Sequence, residues 1–85
     1  MAQVLMYCTG NCPYCHSAER LLEKKGIRDV EKIRVDLEPA RRVEMMQRSG
    51  RRTVPQIWIG ARHVGGCDEL YELEAEGTLD ALLAA

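Results

Sequence analysis

Val4-Leu5-Met6-Tyr7-Cys8-Thr9-Gly10-Asn11-Cys12-Pro13-Tyr14-Cys15 holds the end of one regular element and the start of another. Gln3 to Cys8 is short, nearly all apolar and followed by Thr9-Gly10-Asn11, the pattern of a strand buried on both faces. Pro13 then opens a helix, because its missing N–H would be unpaired at the first helical position anyway. Ala18, Leu21 and Leu22 recur at spacings that place them on one face. Lys24 and Lys25 suit the negative end of the helix dipole, and Gly26 stops the helix.

Downstream, Lys32 to Asp36 reads as a partner strand in which Ile33, Val35 and Leu37 alternate. A second helix is predicted from Pro39 to Gly50, with Ala40, Val43 and Met46 as its apolar face. After Val54-Pro55 come a short strand, Gln56 to Ile59, a glycine-first turn at Gly60-Ala61 and a returning strand Arg62-His63-Val64. Gly65-Gly66 breaks that strand. A third helix follows from Asp68 to Glu76, capped by Gly77, and Leu79, Leu82 and Leu83 make a short closing helix. Strand, helix, strand implies one crossover and a parallel pair, and the hairpin adds antiparallel strands. The predicted class is α/β, a small mixed sheet with helices on both faces.

The 85 residues suit a single domain over 1–85 and are too few for a doubly wound nucleotide-binding fold or a β/α barrel. Apolar residues are 46% and charged residues 29%, too apolar for disorder. A net charge of -1 argues against nucleic acid, whose phosphates need a surplus of cations. The apolar run at Val4–Cys8 is too short for a membrane span, and no signal pattern precedes it, so a cytoplasmic protein with no membrane partner is expected. Charge is segregated along the chain. Arg41 to Arg62 holds six arginines against Glu44, whereas Asp68 to Asp80 holds six acidic residues and no basic one. Two solvated helix faces, or two segments meeting at a ligand of both charges, are the readings of that asymmetry.

Cys12 and Cys15 carry the chemistry. With Cys12 as helix cap, the N–H groups of Tyr14 and Cys15 point toward its sulfur, and with the helix dipole they favour thiolate over thiol. Thiolate is the nucleophile of disulfide exchange, and Cys15, one turn inside, can close a disulfide onto Cys12. Redox chemistry, a metal site and inert structural cysteines are all open at this point. A zinc tetrad of Cys12, Cys15, His63 and Cys67 is the metal reading. His16, His63 and Cys67 equally read as an exposed helix residue, a hairpin residue and a small helix-start residue. Beside a strand–helix–strand pattern, the Cys12/Cys15 spacing is a thioredoxin-like redox signature. A second element is Thr53-Val54-Pro55, where proline leaves neighbouring backbone unpaired and an extended peptide can add like a strand. A third is Gly65-Gly66-Cys67-Asp68, whose glycines permit close approach and whose Asp68 can hold an ammonium group.

Taken together, Cys12-Pro13-Tyr14-Cys15, Thr53-Val54-Pro55 and Gly65-Gly66-Cys67-Asp68 resemble the glutaredoxins, specifically the small bacterial dithiol type, over essentially the whole chain. The resemblance implies the thioredoxin fold, with a central four-stranded mixed sheet, a cis peptide before Pro55, and glutathione as reducing co-substrate with no tightly bound cofactor or metal. Cys12 is then the nucleophile and Cys15 the resolving thiol. The implied glutathione-binding residues are Tyr14, Arg52, Thr53, Val54, Pro55, Gly66, Cys67 and Asp68. Val54 pairs through its backbone, Cys67's backbone and Asp68 hold the γ-glutamyl end, and Arg52 faces a carboxylate. One departure is the stretch Cys8-Thr9-Gly10-Asn11, where many relatives place a lysine. The implied activity is glutathione-dependent reduction of protein disulfides and protein–glutathione mixed disulfides by a monomer. The alternative is a glutathione-assisted iron–sulfur cluster carrier, against which Pro13 and Cys15 argue.

Overall fold

Four strands, β1 (Val4–Cys8), β2 (Val30–Arg34), β3 (Gln56–Ile59) and β4 (Arg62–Gly65), form one sheet in the order β2-β1-β3-β4. The structure is a computed structural model that describes residues 2–85. β1 runs parallel to β2, with Tyr7 opposite Ile33, and antiparallel to β3, with Met6 opposite Ile57. β3 and β4 form the antiparallel hairpin, with a register shift between Ile57 and Trp58. The helices are α1 (Pro13–Lys24), α2 (Pro39–Ser49), α3 (Cys67–Glu76) and α4 (Leu79–Ala84). Among the described residues no helix is long and apolar enough to cross a membrane.

Strand alternation divides the core in two. Val4, Met6, Cys8, Ile57 and Ile59 point to one face, where Ala18, Leu21 and Leu22 of α1, Leu70 and Leu73 of α3, and Leu79 and Leu83 of α4 cover them. Tyr7 and Trp58 point to the other, where they meet Ile33, Val35 and Met45 of α2. Helices therefore flank both faces, as the pattern of strands and helices implies.

Four elements differ in their bounds from the sequence-based expectation, and the first, β1, begins at Val4 rather than Gln3. β2 spans Val30–Arg34 rather than Lys32 to Asp36. Arg34 donates to both Asp36 oxygens (2.8 and 2.6 Å), Asp36 also accepts from the Gly10 N–H, and the chain turns there toward Pro39. Leu37 consequently leaves the alternation and is 69% exposed. β4 extends through Gly65, and α3 begins at Cys67, with Gly66 as its cap.

The apolar face of α2 also needs correction. Met45 is its buried residue and Met46, expected on that face, packs partly buried against the same cluster, whereas Val43 is 49% exposed and Ala40 lies in solvent. The reason lies in the surface that α2 covers. Tyr7 presents a hydroxyl there, which donates to Glu44 and accepts from Arg48 at 2.9 Å. The Arg48 guanidinium also sits 4.3 Å from the Trp58 ring. A helix serving that surface places Glu44 and Arg48 against Tyr7 beside Met45, and its apolar spacing marks the packed face only in part.

Candidate active site

Cys12 caps α1 from an extended backbone conformation (φ -133°, ψ 104°), and its Sγ accepts the Cys15 N–H at 3.2 Å. Of the two donors expected from sequence, Cys15 makes the bond and Tyr14 does not. Cys12 Sγ also lies 3.9 Å from the Val54 carbonyl oxygen. The helix start is less open than expected: Cys12 retains 7% of its accessible surface and Cys15 4%. All four cysteines are free and share the α1/α3 side of the core.

Burial sorts the other thiols. Cys15 is pushed up to about 12, first by burial and then by its contact with Cys12. Cys8 and Cys67 are also raised by burial. Those three stay protonated near neutral pH, whereas Cys12 has the helix start and an N–H donor directed at its sulfur.

A cleft of about 340 Å³ beside the thiols is lined by Tyr14, Arg51, Thr53, Val54, Pro55, Gly66, Cys67, Asp68 and Glu69. It brings together Tyr14, Thr53, Val54, Pro55, Gly66, Cys67 and Asp68 of the residues named from sequence. Arg52 is not among the lining residues. Arg51 takes that place, bonded to Glu69, while the Arg52 carbonyl accepts from Arg42 (3.4 Å). The Val54–Pro55 peptide is cis. Val54 forms no backbone–backbone hydrogen bond among the described residues; its C=O faces Cys12 Sγ and its N–H remains open beside the cleft.

The opposite wall depends on two glycines. Gly65 has φ +115°, and a Cβ there would meet the Glu69 carboxylate at 2.5 Å. A Cβ on Gly66 would lie 3.3 Å from the Pro55 carbonyl oxygen, so the two walls approach as closely as glycine permits. Glu69, at the third position of α3, reaches back to accept the Gly66 N–H at 2.6 Å and also accepts from Arg51 at 2.8 Å. Gly66 has no side chain to return the first contact, so half of a capping box is present. The Gly66 N–H, then Arg51, holds the Glu69 carboxyl below the usual range. The basic and acidic segments therefore meet through a direct ion pair at the edge of the cleft. The Asp68 side chain forms no hydrogen bond or ion pair among the described residues, and the residue is exposed at the cleft.

Arg51 and Glu69 escaped the reading of residue types. A glutamate three positions after Gly66 was the available signal for Glu69. His63, the fourth member of the zinc tetrad considered from sequence, turns to the α2 face, where its ring stacks on Trp58 (centroids 4.5 Å) and bonds Gln56. Among the described residues no three His, Cys, Asp or Glu side chains are grouped to hold a metal ion.

With this geometry in view, the family model described as glutaredoxin matches residues 4–64. The chain is 52% identical over 85 residues to a glutaredoxin of Pseudomonas aeruginosa, covering all of both chains. It is 53% identical over 83 residues to glutaredoxin 3 of Escherichia coli K12, covering 98% of this chain and 99% of that one. Among solved structures, a buckwheat glutaredoxin–glutathione complex superposes with a TM-score of 0.90 at 31% identity, over 98% of this chain and 77% of that one. The solution structure of glutaredoxin from Brucella melitensis gives 0.84 at 52% identity, over 98% and 89%.

Proposed function

This chain belongs to the glutaredoxin family of thiol–disulfide oxidoreductases, and from that premise we propose that it is a glutathione-dependent reductase of protein disulfides and protein–glutathione mixed disulfides. It acts as a single domain over residues 1–85, as a monomer, in the cytoplasm, where glutathione is the reductant. The observation that carries the reading is the position of Cys12 Sγ, 3.9 Å from the carbonyl of a Val54 whose N–H has no partner among the described residues. A γ-Glu-Cys-Gly peptide added along Val54 would bring its own sulfur to Cys12. The buckwheat neighbour, solved as a glutathione complex, supports the choice of ligand.

Cys12, as thiolate, attacks the glutathione sulfur of a glutathionylated protein. The S–S bond breaks, and the protein leaves as a thiolate that takes up a proton. A second glutathione thiolate then attacks the glutathione sulfur held on Cys12, yielding oxidised glutathione and free Cys12. On a protein disulfide, Cys12 forms the mixed disulfide and Cys15 attacks the Cys12 sulfur, expelling the reduced protein. Two glutathiones then reduce the Cys12–Cys15 bridge. Cys15 must lose its proton in that step, and a thiol held near 12 does so only as it reaches the mixed disulfide. Asp68 receives the γ-glutamyl ammonium and Arg51 a carboxylate, with Tyr14 as one wall.

The test is turnover of a cysteine–glutathione mixed disulfide with glutathione as reductant, coupled to glutathione reductase. Steady turnover is expected. A protein that turns over only with a dithiol reductant overturns the assignment of glutathione.

A further inference from the structure

The first residue of β3 after Pro55 is Gln56, a fully buried amide on a strand whose other members, Ile57, Trp58 and Ile59, are apolar. A buried amide costs free energy unless it is hydrogen-bonded. Both ends of this one are matched. Gln56 Nε2 donates to the Thr53 carbonyl at 3.0 Å and lies 3.3 Å from Thr53 Oγ1, while Oε1 faces His63 Nε2 at 2.8 Å.

Those contacts fix the direction of the whole chain of bonds. The Thr53 carbonyl can only accept, so the amide nitrogen must face it. Oε1 then faces His63, so His63 Nε2 carries the proton and donates. Burial lowers the His63 pKa and favours the neutral ring, with Nδ1 as the bare nitrogen. The ring is itself held against Trp58, which it faces across the β3–β4 pair.

Thr53 is the residue before Val54, in a segment that belongs to neither a helix nor a strand. Its carbonyl bond to Gln56 is drawn toward the sheet interior. The Thr53–Val54 peptide is planar and trans, so a Thr53 carbonyl held toward Gln56 points the Val54 N–H the opposite way. We propose that Gln56, oriented by His63, is the positioning residue that sets Val54's backbone for glutathione, although neither side chain lines the cleft. The inference rests on the glutathione reading above. It assigns the affinity for the glutathionyl group partly to the α2 side of the sheet, away from the thiols.

Single-turnover oxidation of the pre-reduced protein separates the two ideas. One oxidant is cysteine–glutathione disulfide and the other a glutathione-free dialkyl disulfide, each followed against concentration. A wild type with no preference for the first removes the glutathione reading, and this inference with it. Given a preference, Gln56→Met should raise the half-saturating concentration of the glutathione disulfide about fivefold, the factor of one neutral hydrogen bond. The limiting rate and the reaction with the dialkyl disulfide should stay within about twofold, a split that a general packing defect would not give. His63→Phe keeps a ring on Trp58 and removes only the donor to Gln56. It should raise the same concentration about two- to threefold, and it carries the test if Gln56→Met fails to fold. An unchanged half-saturating concentration, or equal losses on both disulfides, overturns the role of Gln56.

Discussion

The two faces of the sheet are built from different materials. On the α1/α3 side, aliphatic residues surround four thiols, and polar groups enter only at the rim. On the α2 side, Tyr7, Trp58, Met45, Arg48, Glu44 and His63 form an aromatic cluster laced with charge. On the proposed reading, the first face presents the nucleophile Cys12 and the second holds the segment beside it. Reactivity and recognition thus come to one cleft from opposite sides of a single sheet, and substitutions on the two faces should fail differently.

The largest expected effect belongs to the thiol face. Cys12→Ser should reduce turnover of every disulfide to the uncatalysed background, since Cys8, Cys15 and Cys67 are each raised by burial and stay protonated. Cys15→Ser should keep turnover of glutathione mixed disulfides and lose most of it on protein disulfides that need internal resolution. The glutathione reductase-coupled assay on both substrates reads the difference. Loss of both activities in Cys15→Ser would remove the one-thiol route.

Next comes packing. Leu70, fully buried against α1, should cost about 2–5 kcal/mol when cut to alanine, read from urea midpoints at constant slope. Met45→Ala should cost as much on the other face, whereas Val43→Ala should change stability by less than about 0.5 kcal/mol. A Val43→Ala loss equal to that of Met45→Ala would restore the face of α2 inferred from apolar spacing.

That contrast explains what the chain made legible. Ala18, Leu21 and Leu22 face a plain aliphatic surface, so helical periodicity identified them and all three are buried. The cysteine spacing, Val54-Pro55 and Gly65-Gly66 were legible because backbone chemistry demands those residue types. On α2, Arg48 and Glu44 look like solvated side chains until Tyr7 supplies a hydroxyl and Trp58 a ring. Such partners are distant in sequence, and no local period announces them. Arg51 and Arg52 are identical in type, so only the path of the segment between α2 and Pro55 decides which one enters the cleft.

A smaller effect sharpens the picture of the charged face. Tyr7→Phe keeps the ring against Trp58 and removes the hydroxyl shared by Glu44 and Arg48. The expected loss is about 1–2 kcal/mol, since both partners keep some access to water. Thermal or urea unfolding measures it. A neutral result would mean that the aromatic contacts alone hold α2 to the sheet.

The smallest expected effect lies at the seam, where Arg51 from the α2 side meets Glu69 of α3. Gly66's N–H and then Arg51 hold the folded Glu69 carboxyl below its unfolded value of about 4.3. A lowered folded pKa gives stability that is complete above the unfolded value and lost as pH falls through the folded one. Glu69→Gln keeps an oxygen for the Gly66 N–H but not the charge. Its deficit should therefore be greatest near neutral pH, shrink below about 4 and vanish in strong acid, where Glu69 is itself neutral. The Glu69 side chain is 34% exposed, so water and salt screen the pair and the deficit should not exceed about 1 kcal/mol. Urea midpoints of wild type and variant between about pH 2 and 7 test this. Two curves that stay parallel across the range would show that Glu69 acts by shape alone, and that the two faces are not joined through charge.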